Sequence, residues 1–176
     1  MPDRGRAIVL IGFMGAGKSS VGRRLEKSTG YRRFDTDEMI VAKFGLSVPR
    51  IFEVHGENAF RDAESEVLRE LESREPAIIV TGGGIVLRTT HCDLLRELGT
   101  VVYLEADEET LFERISRRAS RPLLRTDNPR ATMKELLQQR LPLYEEIADV
   151  RLNTSHLSHD DVCDLILQSI ATSKPG

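Results

Sequence analysis

The stretch Gly12-Phe13-Met14-Gly15-Ala16-Gly17-Lys18-Ser19 constrains this chain more than any other. It fits the pattern G-x-x-x-x-G-K-[ST], and its surroundings fit as well. A continuous apolar run at 7–11 precedes it, short enough for a buried parallel strand. Residues 19–29 follow with Val21 and Leu25 spaced i, i+4 and Gly30 at the end, the pattern of a helix. A strand that turns through glycines into a helix aims backbone N–H groups and a positive dipole end at phosphate oxygens. Gly15, Ala16, Gly17, Lys18, Ser19 and Ser20 are therefore the candidate ATP-binding residues. Lys18 is placed to reach the β- and γ-phosphates and Ser19 to ligate Mg²⁺. The loop implies a nucleotide and phosphoryl transfer; it does not name an acceptor.

The rest of the chain alternates apolar runs with helix-period segments. Strands are expected at 31–35, 77–80, 100–104 and 150–152. Residues 37–44 read as a short helix stopped by Gly45, and Ser47 with Pro49 marks another helix start. The segment 57–72 puts Phe60, Ala63, Val67, Leu68 and Leu71 on one face. Asp107 can cap a helix from 108 to about 117, and 158–170 forms the last helix. Thr132 and Glu135 fit a capping box opening a helix that Pro142 should kink or interrupt. Residues 116–128 are basic, carry Pro122 and lack a steady period, so they read as a loop. The alternation predicts an α/β fold with a mostly parallel sheet covered on both faces. At 176 residues, with no repeat or linker, the chain 1–176 is expected to be one domain with a frayed tail at 173–176.

A formal charge of −3 argues against a nucleic-acid or anionic-membrane binder. No apolar run approaches the roughly 20 residues of a membrane span, and residues 1–6 carry no signal-like apolar stretch. Cys92 and Cys163 are far apart and fit no metal spacing, so they read as reduced thiols of a cytoplasmic protein. His55, His91, His156 and His159 form no zinc-like cluster and read as surface or packing residues.

Four further features bear on the acceptor. Phe34-Asp35-Thr36-Asp37 sets two carboxylates at the end of a strand, where ligands of open α/β sheets bind. They could serve a metal and a hydroxyl, or Asp37 could simply cap the next helix; both readings fit the pair. Arg61 and Glu64 are i, i+3 neighbours, so Glu64 can brace an arginine beside Phe60 that would grip a carboxylate, although an exposed ion pair is the commoner fate. Thr81-Gly82-Gly83-Gly84 follows a strand directly and permits close approach of a ligand. Arg114, Arg117, Arg118, Arg121 and Arg125 crowd a proline-punctuated segment without interleaved aromatics, which suits a phosphate-facing lid better than a base-stacking surface.

Together these features resemble the shikimate kinase family from about residue 7 to 170. The segments that carry the resemblance are GFMGAGKSS, FDTD, IFEVHGENAFRDAE, TGGG, SRPLL and RLPLYEEIAD. It implies a three-layer P-loop NTPase fold, with a five-stranded parallel sheet, a substrate-binding helical segment at about 37–64 and a lid at about 116–128. It implies transfer of the ATP γ-phosphate to the 3-hydroxyl of shikimate, on the route to chorismate and the aromatic amino acids, by a cytoplasmic monomer with one Mg²⁺ per subunit. In that scheme Lys18, Asp37 and Arg121 are catalytic, and Asp37, Arg61, Gly82, Gly83, Gly84 and Arg140 bind shikimate. Ser19 and, through water, Asp35 serve the metal. Arg121 also contacts the ATP phosphates, and Phe52, Phe60, Pro122 and Leu123 wall the substrate pocket. Two rivals stand beside it: a gluconate kinase of the same fold, and a nucleotide-binding regulatory protein without transfer activity.

Overall fold

The computed structural model describes residues 6–71, 75–118 and 125–172. Within them the apolar runs become β1 (Ala7–Ile11), β3 (Ala77–Val80) and β4 (Gly99–Glu105), joined by β2 (Arg32–Asp35) and β5 (Val150–Asn153). All neighbours pair in parallel, in the order β2-β3-β1-β4-β5. Every residue of β1 and β3 is buried, as expected of strands covered on both faces, whereas the edge strand β5 alternates.

The helices are α1 (Lys18–Thr29), α2 (Thr36–Phe44), α3 (Val48–Glu70), α4 (Thr89–Leu98), α5 (Glu108–Ser116), α6 (Pro129–Ile147) and α7 (His159–Thr172). Helices α1 and α7 pack on each other and on β3 and β5, while α4 lies on β1 and β4 and α6 on β4. Right-handed crossovers running in opposite directions from β1 put these two groups on opposite faces. The chain thus changes direction at β1, and the crevice beyond the carboxyl ends of β1, β3 and β4 is where such sheets take ligands.

Most of the core is one cluster around the sheet. A second, smaller one joins Ile40, Ile51, Phe60, Ala63 and Val67 under α2 and α3. Helix α3 bends at Gly56, whose φ of 84° and ψ of 169° are not helical. The two segments read separately in the sequence, one starting at Ser47 and one at 57, are its two halves.

Three local expectations are corrected. Asp107 precedes α5 but its side chain caps nothing; its Oδ1 accepts from Asn153 Nδ2 at 3.4 Å instead. Helix α6 opens at Pro129, not at Thr132. Asn128 Oδ1 accepts from Ala131 N at 3.1 Å, with proline at the first helical position, and Thr132 Oγ1 donates back to Asn128 O. Pro142 does not interrupt α6. It and Gln138, whose carbonyl loses its donor, are both exposed, so water can replace the missing bond. The segment 89–98, to which the sequence reading assigned no element, is α4.

Asn128→Ala should lower stability by about 1 kcal/mol, which for a chain of this size moves Tm by roughly 2–4 °C. Thr132→Ala should cost clearly less, and a thermal melt of both variants checks the order.

Candidate active site

The first glycine loop folds as its pattern requires. Gly15 and Gly17 take φ values of 84° and 98°, which a residue with a Cβ adopts only under strain. Gly17 is the N-cap of α1, and Ala16 N donates to Phe13 O at 3.1 Å. Lys18 is buried beneath the loop, its Nζ donating to Gly12 O at 2.5 Å and Phe13 O at 3.0 Å. A cleft of about 470 Å³ opens over the loop. It is lined by Gly15, Gly17, Lys18, Ser19 and Ser20 from the loop, by Asp35 and Asp37, and by Gly82 and Gly83.

The acidic pair divides its labour. Asp35, not Asp37, caps α2: its Oδ1 accepts from Asp37 N at 3.0 Å and Glu38 N at 3.2 Å. Burial raises the Asp35 carboxyl above its ordinary value, against the lowering effect of those two N–H groups. With the cap supplied by Asp35, the Asp37 carboxylate is left in the first turn of α2, at the wall of the cleft.

The glycine turn after β3 is where the acceptor side of the site comes together. A methyl group on Gly82 would stand 2.7 Å from Asp37 Oδ1, and one on Gly83 would stand 3.4 Å from Arg140 Nη1. One on Gly84 would overlap the Arg61 guanidinium. Three side chains from α2, α3 and α6 thus rest against three consecutive residues of bare backbone. The turn is held from several sides. Gly82 N donates to Thr36 Oγ1 at 3.3 Å, Thr81 Oγ1 donates to Leu10 O at 2.8 Å, and the buried Tyr144 hydroxyl donates to Gly83 O.

Arg61 is not the exposed ion pair its spacing alone would suggest: its side chain is 8% exposed and that of Glu64 is 0%. Arg61 Nη1 donates to Glu64 Oε2 at 2.8 Å, and the guanidinium carbon lies 5.4 Å from the Phe60 ring centre and 5.9 Å from that of Phe52. Burial pushes the Glu64 carboxyl up to about 7 even with Arg61 beside it. Arg61 Nε and Glu64 Oε1 have no hydrogen-bond partner among the described residues. Arg140 is half-buried, its guanidinium carbon 5.7 Å from the Phe13 ring centre.

The structure therefore gathers Lys18, Ser19, Asp35, Asp37, Gly82 and Gly83 around one cleft and sets Arg61, Arg140 and Gly84 at the glycine turn that borders it. Arg121, Pro122 and Leu123 lie outside the described residues. Sequence reasoning placed Arg114 only within the basic lid segment, read His159 as a surface or packing residue, and gave no role to Thr154, Thr36 or Tyr144. Arg114 Nη1 donates to Gly15 O at 3.1 Å and to Thr154 Oγ1 at 3.3 Å, and Thr154 Oγ1 lies 3.1 Å from Ala16 O, so both brace the phosphate loop. Arg114, Arg117, Arg118 and His159 also line the cleft. Arg114 sits beside Ile115 and three residues after Leu111, on the buried side of α5, a signal that could have separated it from the solvated arginines.

The family model for shikimate kinase matches residues 14–171. The chain is 42% identical over 161 residues to the shikimate kinase of Thermodesulfovibrio yellowstonii, covering 92% of each chain. It is 43% identical over 163 residues to that of Bordetella avium, covering 93% of this chain and 78% of the relative. Among solved structures, shikimate kinase from Acinetobacter baumannii in complex with shikimate superposes with a TM-score of 0.90 at 38% identity, over 99% of this chain and 97% of that one. With the five-stranded parallel sheet, the phosphate loop and the acidic, arginine-lined turn beside it, these matches place the chain in the shikimate kinase family.

Proposed function

We propose that shikimate sits against the glycine turn with its carboxylate between Arg61 and Arg140 and its 3-hydroxyl on Asp37, facing an ATP γ-phosphate held by the loop 12–19. The observation that carries this reading is the convergence of one carboxylate and two guanidiniums on Gly82, Gly83 and Gly84. Shikimate offers a complementary set, one carboxylate and several hydroxyls. A buried arginine whose Nε has no protein acceptor among the described residues suits an anionic ligand. Gly83, whose carbonyl is taken by Tyr144, would offer its N–H to a substrate hydroxyl.

In the transfer the 3-hydroxyl oxygen bonds to the γ-phosphorus, the bond to the β–γ bridging oxygen breaks, and the hydroxyl proton leaves toward Asp37. Lys18 would exchange its loop carbonyls for phosphate oxygens, and Arg114 keeps the loop in shape from behind. Ser19 and Asp35 fit a magnesium ion. Both line the cleft, and their hydroxyl and carboxylate oxygens are the hard donors magnesium takes. Ser19 would hold it directly and Asp35 through water. When bound, the ion neutralises charge on the β- and γ-phosphate oxygens. The lid at 116–128 and the role of Arg121 on the ATP phosphates rest on the family resemblance. The same holds for the substrate-binding segment at 37–64, for one domain spanning 1–176, and for a cytoplasmic monomer. Both cysteines are buried and unpaired, which suits a reducing compartment.

A coupled ADP-release assay should show turnover with shikimate and none with gluconate; turnover with gluconate alone would overturn the acceptor. Asp37→Asn should lower kcat by about 10²–10⁴ with little change in KM for ATP. Arg61→Ala should raise KM for shikimate about tenfold or more while KM for ATP stays within twofold, the loss expected when a buried charged hydrogen-bond partner is removed. Near-normal kcat in the first variant, or equal losses for both ligands in the second, would contradict these roles.

A further inference from the structure

His91 is fully buried, and both of its ring nitrogens are engaged. Nδ1 lies 3.0 Å from Ile85 O, the residue that follows Gly84 in the glycine turn. Nε2 lies 2.6 Å from Ser65 Oγ, on α3 one turn beyond Arg61. We propose that His91 is a positioning residue for the substrate carboxylate site. By tying α3 to the glycine turn across one imidazole, it keeps the Arg61 guanidinium seated against Gly84. This inference rests on the reading of Arg61 as a carboxylate ligand.

The bonding pattern sets the tautomer. A backbone carbonyl only accepts, so the nitrogen facing Ile85 O carries the proton. Burial lowers the imidazole's affinity for a second proton, and the charges of Arg88 and Arg61 act in the same direction. The neutral ring therefore accepts at Nε2, and the Ser65 hydroxyl shares its one proton between that nitrogen at 2.6 Å and Arg61 O at 3.1 Å. Near the ring stands the Glu64 carboxyl, whose Oε2 is 3.8 Å from Nδ1 and 2.8 Å from Arg61 Nη1. A neutral imidazole leaves that carboxylate to Arg61, where a cation at position 91 would compete for it.

The geometry makes the role specific. Gly84 cannot carry a side chain without displacing Arg61, so the guanidinium's position is set by how α3 stands relative to the turn. Thr36 and Tyr144 hold Gly82 and Gly83 from α2 and α6. On the α3 side, His91 bonds to both partners, and Arg88 adds an exposed tie from the start of α4 to Asp62 at 2.7 Å. None of the bonds of His91 involves the phosphate loop, which meets the turn at Gly83 instead, so a loosened His91 should be felt by shikimate and not by ATP.

The test compares His91→Leu, His91→Asn and Ser65→Ala, each alone, with Arg61→Ala and with the Arg61→Ala/His91→Leu double variant. His91→Leu should raise KM for shikimate about tenfold with kcat and KM for ATP within twofold. His91→Asn, whose amide can still donate to Ile85 O, should return KM to within about threefold of the parent. Ser65→Ala should raise it about threefold. In the Arg61→Ala background His91→Leu should add less than twofold. The inference is overturned if KM for both ligands rises together, or if the His91→Leu effect persists undiminished without Arg61. Should His91→Leu fail to fold by circular dichroism, an unchanged shikimate KM in Ser65→Ala overturns it equally. If Arg61→Ala itself leaves shikimate KM unchanged, the carboxylate reading falls and takes this inference with it. If Arg61→Ala raises KM while the His91 and Ser65 variants do not, this inference falls alone.

Discussion

Close contact between the backbone of Gly82-Gly83-Gly84 and three charged side chains is the constraint on which the acceptor side of the molecule depends. Asp37, Arg140 and Arg61 reach the same short turn from α2, α6 and α3. They can do so because no Cβ stands in the way. The parallel sheet explains why the turn is in that place. It follows β3, next to β1 and its phosphate loop, so a ligand held at the turn lies beside one held at the loop. The chain's reversal of direction at β1 thus puts donor and acceptor side by side.

Burying a guanidinium is costly unless it is paired, and a buried pair is weak evidence for stability. The Arg61–Glu64 contact is better read as an orientation device. Glu64 takes one nitrogen of the guanidinium, Phe52 and Phe60 lie together beside it, and His91 holds the turn it rests on. The second small core under α2 and α3 gives this device its own packed base, separate from the main core around the sheet.

The parts of the fold that were legible in the sequence are those where one local rule operates alone. The strand-loop-helix at 7–29 is such a place, since apolar run, glycines and helical period agree. The buried face of α3 is another. Helix α4 escaped because its start, Arg88, supplies no capping side chain, and its β-branched threonines weaken the helical signal. Its buried residues His91, Cys92, Leu95 and Leu98 mix polar and apolar types. At α6 the Thr132/Glu135 pattern competed with Asn128-Pro129 and lost, because the latter satisfies a helix N–H and pre-sets the first turn. For the site, the division between Asp35 as cap and Asp37 at the cleft wall was ambiguous in sequence, because either carboxylate is chemically able to cap. The burial of Arg61 and the roles of Tyr144, Thr154 and His91 depend on contacts between residues 26 to 138 positions apart, which no local pattern records.

The most direct test of the glycine-turn account is Gly84→Ala. Gly84 has φ −96° and ψ 7°, a conformation alanine adopts readily, so the added methyl meets no strained backbone, and its three nearest atoms all belong to the Arg61 guanidinium. Titration calorimetry of this variant with shikimate and, separately, with ATP isolates that one contact. The account predicts shikimate binding weakened about tenfold or more with ATP binding unchanged; shikimate binding equal to the parent's would contradict it.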